Sequence, residues 1–137
     1  MDSLVTETKP ADFEECQKAM VPVTEVLTQI GGKWTVFIIM ALTHGPKRFS
    51  ELQRRIEGIS QKMLTATLRD LEKDGFVTRT VTPSIPPRVD YELTDMGREL
   101  RGPLAAISKW AHGNRHRVEE ARERYAEREV EARRQAW

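Results

Sequence analysis

The stretch Gly58–Phe76, GISQKMLTATLRDLEKDGF, holds the residues whose types and spacing best suggest chemistry. Wound as a helix with Gln61 at the origin, it places Lys62, Thr65, Ala66, Arg69 and Lys73 between about 40° and 140°. No acid enters that strip; Asp70, Glu72 and Asp74 flank it. Met63, Leu64, Thr67, Leu68 and Leu71 fall between about 200° and 340°, on the other side. Such a rod can bury its leucines and offer ammonium, guanidinium, hydroxyl and amide groups to a partner. A B-DNA major groove is about 12 Å wide and admits one helix. Arg and Lys can address guanine edges or phosphates there, Thr and Gln can donate or accept, and Ala allows close approach to a thymine methyl. Ser60 and the free amides at the helix start can hold a phosphate. A solvated face is the plainer reading of one such helix in isolation, so its neighbours must decide.

Upstream, Lys47-Arg48-Phe49 reads as short and extended. Ser50 is placed to cap a helix over Glu51–Glu57, with Leu52 and Ile56 inward and Gly58 as its stop. Ser60 then caps the next helix, which runs to about Asp74 with Gly75 past its end. Only Gly58 and Ile59 separate Glu57 from the Ser60 cap, which makes a helix-turn-helix unit. Downstream, Phe76–Val81 and Arg88–Leu93 read as strands. Thr82-Pro83-Ser84-Ile85-Pro86-Pro87 between them cannot pair as sheet. The result is a hairpin with a proline-rich tip and Arg79 and Arg88 near it. Between Gly45 and Arg88 there are nine basic and five acidic residues, whereas the whole chain carries a formal charge of only +1. The positive excess is therefore local. A reading helix, a helix before it and a basic wing after it describe a winged helix-turn-helix and a double-stranded DNA partner.

Around this head, Pro22 opens a helix with Val23, Val26, Leu27 and Ile30 on one face. Gly31-Gly32 breaks the chain. Lys33–Thr43 follows, apolar nearly all round, and is expected to be the central core helix with Trp34 as an anchor. Met1–Phe13 reads as a loose arm. Beyond the hairpin, Thr94 caps a helix with Leu100, Leu104, Ile107 and Trp110 on one stripe. Pro103 implies a kink or a restart there. After His112-Gly113-Asn114 the segment 115–137 alternates in charge and is helical by propensity. Val118, Ala121, Tyr125 and Ala132 suggest a weak seam on it, open between reinforcing a dimer and packing on nothing. The expected organisation is an arm over 1–20, the winged-helix domain over 21–111 and a charged extension over 112–137.

The 137 residues suit one domain with helical extension. Cys16 is the only cysteine, so an intrachain disulfide framework is excluded. The acidic, polar start does not resemble a signal peptide. The longest apolar run, Val36–Leu42, falls far short of the roughly 20 residues of a membrane helix. A cytoplasmic protein is expected.

Two elements, IGGKWTVFIIMALTHGPKRFSELQRRIEGISQKMLTATLRDLEKDGFVTR and PPRVDYELTDMGREL, resemble the HxlR family of bacterial transcription regulators, relatives of MarR-type winged helices. The GGKW, RFSEL and PPRV-YELT-G segments stand in that family's order, over about Val21–Ile107. The resemblance implies a mainly α fold with a small β-hairpin wing, flanking dimerisation helices, and a homodimer on a palindromic operator. The dimer would use the first helix and the one after the wing, which here points to Val23, Leu27, Leu104, Ile107 and Trp110; for Leu104 and Trp110 a place in the chain's own core stays equally open. Many members carry a reactive Cys directly before the proline that opens the first helix. Here Val21-Pro22 occupies that place and Cys16 lies five residues upstream, beside Glu14, Glu15 and Lys18. A sensing thiol wants a positive neighbour, so sensing and incidental roles both stay open.

The residues expected to read bases are Gln61, Lys62, Thr65 and Arg69. Those expected on phosphates or in the wing are Arg48, Ser50, Ser60, Arg54, Lys73, Arg79 and Arg88. His112 and His116 are four apart, but no third ligand is near and no metal is expected. Gly31-Gly32-Lys33 lacks the remaining residues of a phosphate loop. No nucleophile–base set or cofactor fingerprint occurs, so neither catalysis nor a cofactor is expected. The rival reading is a protein-interaction module, which would want apolar residues where Lys62, Thr65 and Arg69 stand. A further reading adds an unidentified small-molecule or oxidant effector to DNA binding.

Overall fold

Helical spacing of apolar residues, punctuated by glycine and proline, produces seven helices and three strands among the described residues. The computed structural model describes residues 10–136. In chain order the elements are α1 (Pro10–Ala19), α2 (Val21–Ile30), α3 (Lys33–Leu42), β1 (Lys47–Arg48), α4 (Phe49–Arg55), α5 (Gln61–Lys73), β2 (Val77–Thr82), β3 (Arg88–Leu93), α6 (Asp95–Glu99) and α7 (Arg101–Gln135). The chain divides into two compact units, Met1–Arg98 and Glu99–Trp137.

In the first unit the core is built where α3, α4 and α5 meet the sheet. Ile38, Ile39, Leu42, Leu52, Leu64, Leu68, Leu71, Val77 and Leu93 are all at most 2% exposed. Each fully buried leucine or isoleucine contributes about 1.5–3 kcal/mol by leaving water. The expectation that α3 is a core helix on all sides needs correction. Thr35, Ile38, Ile39 and Leu42 are buried, whereas Phe37 and Met40 face outward. Trp34 is half-buried, edge-on to Phe37 at 6.0 Å between ring centroids. A Cβ added to Gly58 would lie 3.8 Å from its ring, so Trp34 packs beside the turn between α4 and α5.

The N-terminal arm also differs from expectation. Residues 10–13, expected to be loose, are the first turn of a helix that runs to Ala19, with Pro10 opening it, Asp12 in its first turn and Lys18 in its last. Residues 1–9 lie outside the described residues. Gly31-Gly32 forms the expected junction, where the chain bends by 80° between Asp12–Ile30 and Lys33–Leu42. No single helix among the described residues is long and apolar enough to cross a membrane.

The sheet is antiparallel, ordered β1-β3-β2. Lys47 pairs with Tyr91 and Arg48 with Asp90, so the short extended piece before α4 is the sheet's third strand. The hairpin ladder runs from Val77 opposite Leu93 to Thr82 opposite Arg88, so Thr82, expected in the unpaired tip, is instead its last rung.

In the second unit, α7 restarts at Arg101 after a break at Leu100. Pro103 thus falls in the first turn, where its missing N–H is not needed. The helix then continues without interruption through His112, Gly113 and Asn114, where the change of composition had suggested a separate extension. It buries none of its residues.

Candidate nucleic-acid interface

Ser60 starts α5 as expected. Its Oγ accepts the Met63 backbone N–H at 3.0 Å, and its own backbone is extended. The end is set by Gly75, whose φ of +83° suits glycine. There the Gly75 N–H bonds to Glu72 O at 3.1 Å and the Phe76 N–H to Leu71 O at 2.9 Å. This paired pattern closes the last turn, and the buried Phe76 and Leu71 accompany it. Inside those caps Leu64, Leu68 and Leu71 fill the core. Thr67 is buried too, because its hydroxyl is satisfied by Met63 O at 2.7 Å. Met63, expected on the buried side, is 43% exposed; at about 200° it lies at the edge of the apolar arc.

The opposite side is open. Gln61, Lys62, Ala66, Arg69 and Lys73 are exposed and Thr65 is half-exposed. Gln61, Lys62, Thr65, Ala66 and Arg69 together line one shallow depression along the helix. The ion pairs among the described residues are Arg88–Asp90, Arg98–Asp95 and Arg115–Glu119. Lys62, Arg69, Lys73, Arg54 and Arg79 take part in none of them. The strip is therefore cationic and not internally neutralised.

Two supporting residues sit differently from expectation. Ser50 does not cap α4: the helix begins at Phe49, and Arg48 occupies the cap position. Pairing of Lys47-Arg48 with β3 carries the strand straight into the helix, which moves the start upstream. Glu51 completes it by accepting the Arg48 backbone N–H on Oε1 at 3.1 Å. Ser50 remains exposed in the first turn, and Arg48 and Arg54 are exposed. In the wing, Arg88 stands at the tip, opposite Thr82, but Arg79 pairs with Tyr91 three rungs away. Since facing residues alternate along a ladder, Arg79 and Arg88 lie on opposite faces of the hairpin. Arg88 is also engaged: its Nε is 3.0 Å from Asp90 Oδ2.

A clasp that the sequence did not reveal joins these parts. The Thr94 hydroxyl donates to Gly75 O at 2.6 Å and accepts the Gly97 N–H at 3.0 Å. The Thr94 N–H bonds to Phe76 O at 3.0 Å. Arg98 adds a bond from Nη1 to Leu93 O at 2.8 Å. Thr94 is legible as a helix cap, but its bond to Gly75 spans 19 residues of sequence and has no local signal. Gly97 belongs to the same contact, since a Cβ there would come within 2.2 Å of Phe76 O.

The remaining expected residues are distributed as follows. Val23 and Leu27 on α2 are 46% and 50% exposed, and only Ile30 of that helix is buried. On α7, Leu104 is half-buried, while Ile107 and Trp110 are exposed. Cys16 is exposed on α1. His112 turns Nδ1 to Ser108 O at 2.8 Å, a local backbone contact.

Comparison with known proteins agrees with this geometry. The model of the HxlR-like helix-turn-helix family matches residues 29–119. The HTH-type transcriptional regulator YtcD of Bacillus subtilis (strain 168) is 46% identical over 104 residues, which cover 76% of this chain and 82% of that protein. Among solved structures, the transcriptional regulator YtfH of Salmonella typhimurium has a TM-score of 0.65 at 41% identity, covering 74% of this chain and 91% of that one. The redox regulator HypR in its reduced form has a TM-score of 0.67 at 41% identity, covering 72% and 98%. A capped helix with an open cationic face, a hairpin wing and this match over most of the chain lead to one assignment: the chain belongs to the HxlR-like helix-turn-helix family and is a transcriptional regulator, not an enzyme.

Proposed function

We propose that the protein works in the cytoplasm as a homodimer that binds a palindromic operator, each protomer laying α5 in a major groove. The observation that carries this reading is the Gln61–Lys73 strip: exposed, without acids, and held by a helix whose other side is fixed in the core. Gln61, Lys62, Thr65 and Arg69 meet base edges. Ser60, Lys73, Arg48, Ser50 and Arg54 meet phosphates, and Arg79 and Arg88 serve the wing. The exposed face of α5 lacks the apolar patch that a protein-interaction module would need. Dimerisation is supported by Val23, Val26 and Leu27, an apolar row on α2 that stays 39–50% exposed. Two-fold symmetry then calls for half-sites spaced about one helical turn apart. Selection of bound sequences from a random DNA pool tests the reading: an inverted repeat is expected, and retention without any enriched sequence would refute it.

An oxidant-responsive form of the same function has its own support, in the exposed Cys16 thiol and the likeness to the redox regulator HypR. On this reading peroxide alters operator binding by the parent and not by Cys16→Ser. An identical response from both would remove the thiol from the mechanism.

A further inference from the structure

The second unit carries a pattern that the first does not use. Along α7, residues 111, 114, 118, 121, 125, 128, 132 and 135 recur at alternating steps of three and four, the spacing of a coiled-coil seam. They are Ala111, Asn114, Val118, Ala121, Tyr125, Arg128, Ala132 and Gln135. Most of this run lies past residue 119, where the family match ends. Isolated helices are marginal in water, and most helical stability comes from packing of an apolar face. Yet α7 spans 35 residues and buries none, with Tyr125 59% exposed.

Charge selects the occupant of this face. The positions flanking the seam are Arg115, Arg117, Arg122 and Arg124, followed by Glu129 and Glu131. The sign thus changes once along the helix. Against a second copy running the opposite way and centred level with Glu123, Arg115 faces the other copy's Glu129 and Arg117 its Glu131. Symmetry doubles both pairs. Arg122 and Arg124 meet their own counterparts at the centre, each one turn from an acid of its own chain, Glu119 and Glu120. A parallel arrangement would keep Arg124 opposite Glu129 but set Arg117 against Arg122, with Arg128 facing Arg128 in the seam. Antiparallel pairing instead places Arg128 against Val118 and Tyr125 against Ala121. In the single chain Arg115 Nε rests 3.0 Å from Glu119, but both groups are mostly exposed, so the cost of exchanging partners is small.

We propose that Ala111–Gln135 of α7 pairs antiparallel with the same segment of a second copy. This forms a two-stranded coiled coil that adds to the dimer interface supplied by the first unit, and it rests on the homodimer reading above. Sedimentation equilibrium of the full chain tests it with two charge-reversed variants, Arg115→Glu/Arg117→Glu and Glu129→Arg/Glu131→Arg. Each alone places like charges across the seam and is expected to weaken the dimer about tenfold or more. An equimolar mixture restores opposite charges and is expected to return the parent's affinity, with helicity by circular dichroism as the control. No change in either variant overturns the proposal. So does tighter association of Arg115→Glu/Arg117→Glu, which parallel pairing would give. A parent chain that is monomeric at every concentration refutes the homodimer reading itself, whereas a dimer indifferent to the reversals refutes the coiled coil alone.

Discussion

Helices α5 and α7 are both amphipathic, and they treat their apolar stripes in opposite ways. On α5 the stripe is Leu64, Leu68 and Leu71, all at most 1% exposed, and the charged side is of one sign across its centre. On α7 the stripe stays open to water and the charges beside it change from basic to acidic along the helix. A helix whose stripe is fixed within its own chain is free to spend its other face on an unlike partner. A helix whose stripe is open, with both signs beside it, is matched to a partner like itself. The distribution of charge around the stripe, more than the stripe's hydrophobicity, separates the two roles.

The largest effect is expected from truncation, which separates the enclosed stripe of α5 from an exposed position on α7. Leu68→Ala is expected to cost about 2–5 kcal/mol in chemical denaturation, as for other fully enclosed leucines. The same kind of change at Val130, half exposed on α7 and outside the seam, is expected to stay within about 0.5 kcal/mol. Comparable losses at both sites would erase the distinction. Next in size, Arg69→Ala is expected to weaken operator binding by about 1–3 kcal/mol while leaving non-specific DNA nearly unaffected. An equal loss on every sequence would make Arg69 a phosphate contact. Ser60→Ala is expected to lower stability by about 1 kcal/mol through loss of the Met63 bond. The smallest effect is expected at the wing: Arg88→Ala should flatten the salt dependence of DNA binding by at most about one unit of slope. Asp90→Asn, which releases Arg88 from its 3.0 Å partner, should shift the slope the other way. An unchanged slope in both variants would take Arg88 out of the interface.

How much of this was legible in sequence depended on how local the physics was. The Ser60 cap, the glycine stop at Gly75, the leucine spacing of α5 and the β3 strand are all encoded within a few residues, and all stand where the sequence places them. Helix α1 went unread because its apolar side is thin, although Pro10, Asp12 and Lys18 are ordinary start and stop signals. The Ser50 cap was displaced by a strand pairing between Arg48 and Asp90, which no short window contains. Periodicity told that Phe37 and Met40 lie on an apolar helix, but not that their side of it faces outward. Gly113 and Asn114 look like a break, yet glycine costs a helix interior only about 1 kcal/mol, too little to stop α7.

The clasp at Thr94 has a consequence for recognition. By bonding to both Gly75 and Gly97 it anchors the exit of the reading helix to the exit of the hairpin. The angle between the two elements is then set while the chain folds, and meeting a duplex demands no further loss of freedom there. A Thr94→Val protein would keep every side chain aimed at DNA yet approach it with a loosened hand. Its deficit should appear as a less favourable binding entropy rather than as an altered sequence preference.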